Sequence, residues 1–193
     1  MYLLNKKIKK SKSGFSLVET LVAIFILAMA IAAAMTVANS SLQASFYARD
    51  RIAAFFLAQE AIELIKNKRD VNGLSGNRWL GGIANWDSYG GWCGENSDCG
   101  IDIDGNNLEQ CLIQGCELCK DESGLLLHRG NNASTPCDGL ERTGIFRTIN
   151  MKKINANEAK ITVKVSWTRG LGTKELVVSE HILNWHPFSD IEE

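Results

Sequence analysis

The longest apolar run in the chain extends from Leu21 to Met35 without one polar side chain. Thr36, Val37 and Ala38 bring it to about the 20 residues that cross a bilayer core. No Gly or Pro occurs from Phe15 to Asn72, so the residues that usually end or kink a helix are missing. The pattern predicts a single helix of about 55 residues, roughly 80 Å long and far more than a bilayer needs. Beyond Ala38 it turns amphipathic. Leu42, Phe46, Ala53, Phe56, Leu57, Ala61 and Leu64 recur at helical spacings, and Arg49, Asp50, Gln59, Glu60, Glu63, Lys66 and Lys68 supply polar faces. This apolar stripe is expected to pack against a globular head.

A second periodicity appears near the other end. Ala159, Ile161, Val163, Val165 and Trp167 alternate with Lys160, Thr162, Lys164, Ser166 and Thr168, the period of a strand buried on one face. Gly170 and Gly172 supply a turn, Leu176 to Trp185 reads as the returning strand of a hairpin, and Ile145 to Met151 predicts a third. Such a three- or four-stranded sheet needs a cover for its apolar face, which the outer half of the helix provides. The expected fold class is α+β: a long N-terminal helix packed on a C-terminal antiparallel sheet. Between them, residues 73–139 hold 13 of the 17 glycines, all six cysteines and three of the five tryptophans. Glycine loses the most backbone entropy on ordering, so this region is expected to be loop-rich and held by something other than regular structure.

The expected organisation is a leader over 1–14, a membrane and assembly half-helix over 15–38, and an outer half-helix over 39–72. A Gly/Cys-rich region over 73–143, the sheet over 144–185 and a tail over 186–193 follow. After the leader and the apolar half-helix, roughly 150 residues remain, enough for one modest core.

Charge sharpens the N-terminal picture. Lys6, Lys7, Lys9, Lys10 and Lys12 precede the apolar run with no acidic residue before Glu19. The positive-inside rule then keeps the leader in the cytoplasm and exports the rest. Glu19 is out of place, because an ionised carboxylate inside such a helix costs roughly 2.5 to 3.5 kcal/mol on insertion scales. It is expected to stay near the headgroups or to find a cation.

The lysine-rich leader, Gly14, and then Phe15-Ser16-Leu17-Val18-Glu19-Thr20 ahead of the apolar helix resemble a type IV prepilin, the precursor of pili and of related pseudopili. The likeness covers residues 6–38 closely. It implies cleavage by a prepilin peptidase between Gly14 and Phe15, N-methylation of Phe15, and a subunit-assembly role for Glu19, the fifth residue of the mature chain. It also implies neighbouring pilin subunits, an inner-membrane assembly platform and membrane lipid as partners, with the family's glutamate pairing with the amino terminus of an adjacent copy. A secretory signal peptide fits less well, since its apolar core runs about 7 to 15 residues and has no reason to carry a glutamate. The resemblance leaves open a minor pilin or a pseudopilin of a secretion or competence system. Many filament-forming pilins have a proline about a third of the way along the helix, where this chain has Thr36.

On the exported side, Cys93, Cys99, Cys111, Cys116, Cys119 and Cys137 read as three disulfides, for which fifteen pairings exist. A metal site built on Cys116-Glu117-Leu118-Cys119 is disfavoured because only one close pair exists and His128 is the sole nearby imidazole. Asp102, Asp104 and Asn106 around Gly105 are weak calcium candidates. In the calcium-loop register position 12 would be Cys111, not the bidentate glutamate, so a solvated turn is preferred. No cofactor is expected. Asn132-Ala133-Ser134 fits a glycan acceptor, a pattern common by chance.

Losing the five leader lysines leaves 16 basic against 22 acidic side chains, and no clustered basic patch for nucleic acid is apparent. His128, His181 and His186 accompany no nucleophile elbow, zinc helix or phosphate loop, so no enzyme is expected, and a membrane-anchored secreted hydrolase is the less favoured reading.

Overall fold

A computed structural model describes residues 14–83, 94, 97–101, 108–111, 116–124, 126–127, 137, 139–170 and 172–185. The helix predicted from the missing breakers is present as α1, Leu17–Leu74, 58 residues long. Ser16 stands just before it, and its Oγ accepts a hydrogen bond from the Glu19 N–H at 3.2 Å, which caps the first turn. The helix runs on through Thr36, whose hydroxyl donates to the Ala32 carbonyl at 2.6 Å, so that polar group is satisfied within the apolar segment. At the far end the Asn72 side chain donates to the Gly81 carbonyl at 2.8 Å, and Gly76 takes the left-handed conformation (φ 69°) that turns the chain away.

The chain divides into two units, Met1–Ala48 and Arg49–Glu193. In the first, every described side chain is exposed.

The second unit carries the core. Its sheet is a meander of β5 (Glu141–Asn155), β6 (Glu158–Arg169) and β7 (Gly172–Leu183), all antiparallel. Val163 stands between Ile149 on β5 and Val178 on β7, which places the period-two apolar set of β6 on the face toward α1. Arg169 pairs with Gly172 across a tight β6–β7 turn, with Gly170 at φ 62°. The return strand therefore starts four residues before Leu176 and stops at Leu183, short of the expected Trp185.

The sheet is also larger than expected, with seven strands among the described residues. Four fall in the Gly/Cys-rich region: β1 (Cys99–Ile101), β2 (Leu108–Gln110), β3 (Glu117–Lys120) and β4 (Leu126–Leu127). β1 and β3 both pair with β5 on the edge that β6 leaves free, and β2 and β4 extend them outward. At two to four residues they are too short to show a period of their own, and β5 serves as their template.

The helix stripe is corrected by packing. Ala54, Ala58, Ala61, Ile62 and Ile65 are buried against the sheet, with Leu57 and Leu64 partly so. Phe56 is 63% exposed and Leu42 57%, and Phe46 and Ala53 are exposed too. Of the expected stripe, Leu57, Ala61 and Leu64 do face the sheet, and the residues buried most deeply beside them are Ala54, Ala58, Ile62 and Ile65, where small side chains favour close packing.

Candidate functional site

At the N-terminal site Ser16 caps the helix and Glu19 stands at the third helical position, the S-x-x-E spacing of a capping box, of which the bond from the Glu19 N–H to the Ser16 hydroxyl is made. That gives Glu19 a local role the sequence reading did not weigh: an acidic group in the first turn, where the helix dipole favours negative charge. Gly14 and Phe15 precede the helix and are exposed. A Cβ built on Gly14 would meet nothing within 4 Å, and its backbone is not left-handed. Among the described residues nothing requires glycine at that position.

From Leu17 onward the helix presents an apolar surface with a mean hydropathy of 2.7 over its most apolar 18-residue window, none of it buried. By length and composition it can cross a membrane. Glu19 therefore sits at the start of a segment whose surface is left exposed by the described residues.

In the head, the strongest polar feature is Arg147, 1% exposed on β5. Its guanidinium donates to Glu60 Oε2 at 2.8 Å and to the Leu57 carbonyl at 3.2 Å on α1, and to the Ile101 carbonyl on β1 at 3.3 Å. Desolvation pulls this arginine below its ordinary value, opposed by the Glu60 carboxylate. The pairing is missing from the sequence reading, which placed Glu60 on a polar face. The two residues are 87 positions apart, and an arginine inside the Ile145 to Met151 strand was the one available signal.

Glu117 is likewise buried. Its carboxylate accepts from the Arg142 Nε and Nη2 at 2.9 and 2.6 Å and from the Gly144 N–H at 2.9 Å. Burial pushes its carboxyl up, but these donors and the Arg142 charge hold it below the usual 4.5. Lys66 and Glu180 meet at 2.6 Å between α1 and β7, and the Trp185 indole donates to Asp70 at 2.7 Å.

The cysteines pair as Cys111 with Cys116 and Cys119 with Cys137, with Cα atoms 5.3 and 5.5 Å apart. Cys116 and Cys119 thus bond outward to different partners rather than to each other, and both thiols of the disfavoured metal site are consumed. Cys99 is also disulfide-bonded, to a partner outside the described residues. Cys93, the calcium candidates Asp102, Asp104 and Asn106, and the leader lysines lie outside the described residues. On the sheet face turned away from α1, Lys152, Lys160 and His181 stand in one cross-strand row, with His181 Nδ1 2.6 Å from Glu158. Alternation along three strands disperses these basic groups in the sequence.

Residues 9–35 match the family model described as the prokaryotic N-terminal methylation motif. The chain carries a prepilin motif. The match spans the end of the leader, Gly14 to Glu19 and most of the apolar run, and it supports a type IV pilin-like protein. Neither the curated proteins nor the solved structures contain a match to the chain. The long apolar helix, the antiparallel sheet it packs on and the paired cysteines agree with an α+β pilin fold. For a pilin-like precursor the motif implies processing by prepilin peptidase and assembly with other subunits.

Proposed function

We propose that this chain is a structural subunit of a type IV pilus or pilus-like filament, a minor pilin, and not an enzyme. It is cut after Gly14, methylated on Phe15 and polymerised through the apolar half of α1. The observation that carries this reading is the methylation motif at 9–35 joined to a helix whose apolar N-terminal surface is exposed among the described residues. Before assembly, lipid covers that surface, with the leader lysines on the cytoplasmic side. On assembly, neighbouring helices replace lipid, and Glu19 pairs with the new amino terminus of an adjacent copy. Removing one of two such buried charges leaves the other uncompensated, at about 3 to 5 kcal/mol.

Mass spectrometry of protein from the native host tests the processing. A mature chain beginning at methylated Phe15 is the expected result; an intact Met1, or a cut near Ala34, overturns it. The S-x-x-E spacing supplies the control for Glu19. Glu19→Gln keeps a side chain that can close the box while removing the charge, whereas Glu19→Ala removes both. Both variants are expected to be processed normally and to be equally depleted from sheared filaments. If Glu19→Gln enters filaments like the wild type, Glu19 serves as a cap and the pairing is wrong.

A further inference from the structure

The start of α1 is fixed by one residue. Ser16 accepts twice: its Oγ takes the Glu19 N–H at 3.2 Å, and its carbonyl takes the Thr20 N–H at 3.2 Å, the first rung of the helix. Helical structure therefore begins at Leu17. Gly14 and Phe15 stand outside it, exposed and without regular structure. Among the described residues, neither backbone group of the peptide between them is hydrogen-bonded.

The sequence offers a second start. Ser13 lies three residues before Ser16 and is of the same capping type. A helix capped there would take Gly14 and Phe15 as its first two residues, and the Gly14 carbonyl would accept from the Val18 N–H in the first turn. The two starts differ at the third helical position. For the Ser16 start it is Glu19, which suits the helix dipole and the S-x-x-E spacing; for the Ser13 start it would be Ser16. Gly14 also opposes the upstream start, because glycine is a poor helix former.

The choice of start bears on cleavage of the Gly14–Phe15 bond. Hydrolysis adds water across that bond, leaving a carboxylate on Gly14 and an amine on Phe15. A peptidase takes its substrate as accessible, unfolded backbone, and a carbonyl held in a helical turn must first be released by local unfolding. We propose that Ser16 is a positioning residue for this cleavage: by holding the first turn of α1 at Leu17, it keeps the Gly14–Phe15 peptide outside the helix and open to the prepilin peptidase. The inference rests on the processing proposed above and adds to it a residue outside the cleaved bond. Ser16 takes no part in the chemistry and acts through the backbone N–H of residue 19. Because that donor is backbone, Glu19→Ala leaves the cap bond in place, so the assembly role of Glu19 and the positioning role of Ser16 are read on different variants.

Pulse-chase labelling of the full chain in its host measures conversion of precursor to mature protein. Ser16→Ala removes the acceptor and favours helix, and is expected to slow conversion about fivefold, the weight of one lost cap. Ser16→Asn keeps a capping oxygen and is expected to convert at the wild-type rate. Ser13→Ala alone should change nothing, yet added to Ser16→Ala it should recover most of the lost rate by removing the upstream cap. A serine that merely contacted the peptidase would not be rescued from position 13. Wild-type conversion of Ser16→Ala, a Ser16→Asn chain as slow as Ser16→Ala, or a double variant no faster than Ser16→Ala would each overturn the positioning role while leaving the processing intact. A wild-type chain that keeps its leader would sink both.

Discussion

The stretch Leu17–Ala48 and the stretch Arg49–Leu74 belong to one helix and are both rich in alanine and large aliphatic residues, yet the surroundings treat them in opposite ways. In the first stretch Ile24, Phe25 and Leu27 are exposed and touch no core. In the second, Ala58, Ala61 and Ile65 are completely buried against β5, β6 and β7. Helix propensity does not distinguish the two. What separates them is whether a sheet face lies alongside. An apolar side chain contributes to stability only when something takes it out of water, so the first stretch stores its hydrophobic free energy for lipid or for other copies.

That contrast can be broken at defined points. The largest effect is expected at Arg147. Arg147→Ala removes the guanidinium that satisfies the Leu57 and Ile101 carbonyls, leaves Glu60 without its partner and opens a cavity, and should destabilise the head by about 3 to 5 kcal/mol in denaturant titration. Arg147→Met, which refills much of the volume without a charge, should cost less; equal losses would mean that pairing rather than packing governs the site.

Ile65→Ala should cost about 2 to 5 kcal/mol in the same titration, because a fully buried side chain is replaced by a cavity. Ile24→Ala, in the exposed stretch, should leave the midpoint unchanged. A comparable loss at both positions would show that the two stretches are not as different as their burial indicates.

The smallest effect is pH-dependent and lies at the β3–β5 contact. The Glu117 carboxyl titrates below its ordinary 4.5 in the folded head, so its stabilising contribution is complete above the unfolded value and is lost as pH falls through the folded one. Acid titration of the native protein should therefore show a loss of stability at low pH that Glu117→Gln flattens. An acid limb with the same slope in that variant would assign the loss to other carboxylates, among which Asp70 is likewise held low despite burial, by Trp185 and Arg69.

How much of this was legible in the sequence depends on how local each signal is. Gly14 to Glu19 is contiguous, and the strict alternation of β6 needs no partner to be recognised, so both could be read directly. The helix was legible in extent and in part of its facing, for Leu57, Ala61 and Leu64 turn to the sheet while Leu42, Phe46, Ala53 and Phe56 do not. Phe46 and Phe56 outweigh alanines in any hydrophobicity pattern, whereas the sheet selects small side chains that permit close approach. Arg147 with Glu60, and Cys119 with Cys137, join positions that only the folded chain brings together. The strands β1 to β4 exist because β5 offers an open edge, a property of the neighbour rather than of their own residues. The capping role of Ser16 is local, carried by the S-x-x-E spacing of Ser16 and Glu19.

Arg147 also bears on mechanics. Its side chain is anchored to β5 while its guanidinium grips α1 through two acceptors and β1 through a third. A subunit tugged along its helix would pass the load through that one rivet, and through the Trp185–Asp70 and Lys66–Glu180 links lower down, into strands held edge to edge. Tension would then have to shear several fasteners at once instead of peeling them apart in turn.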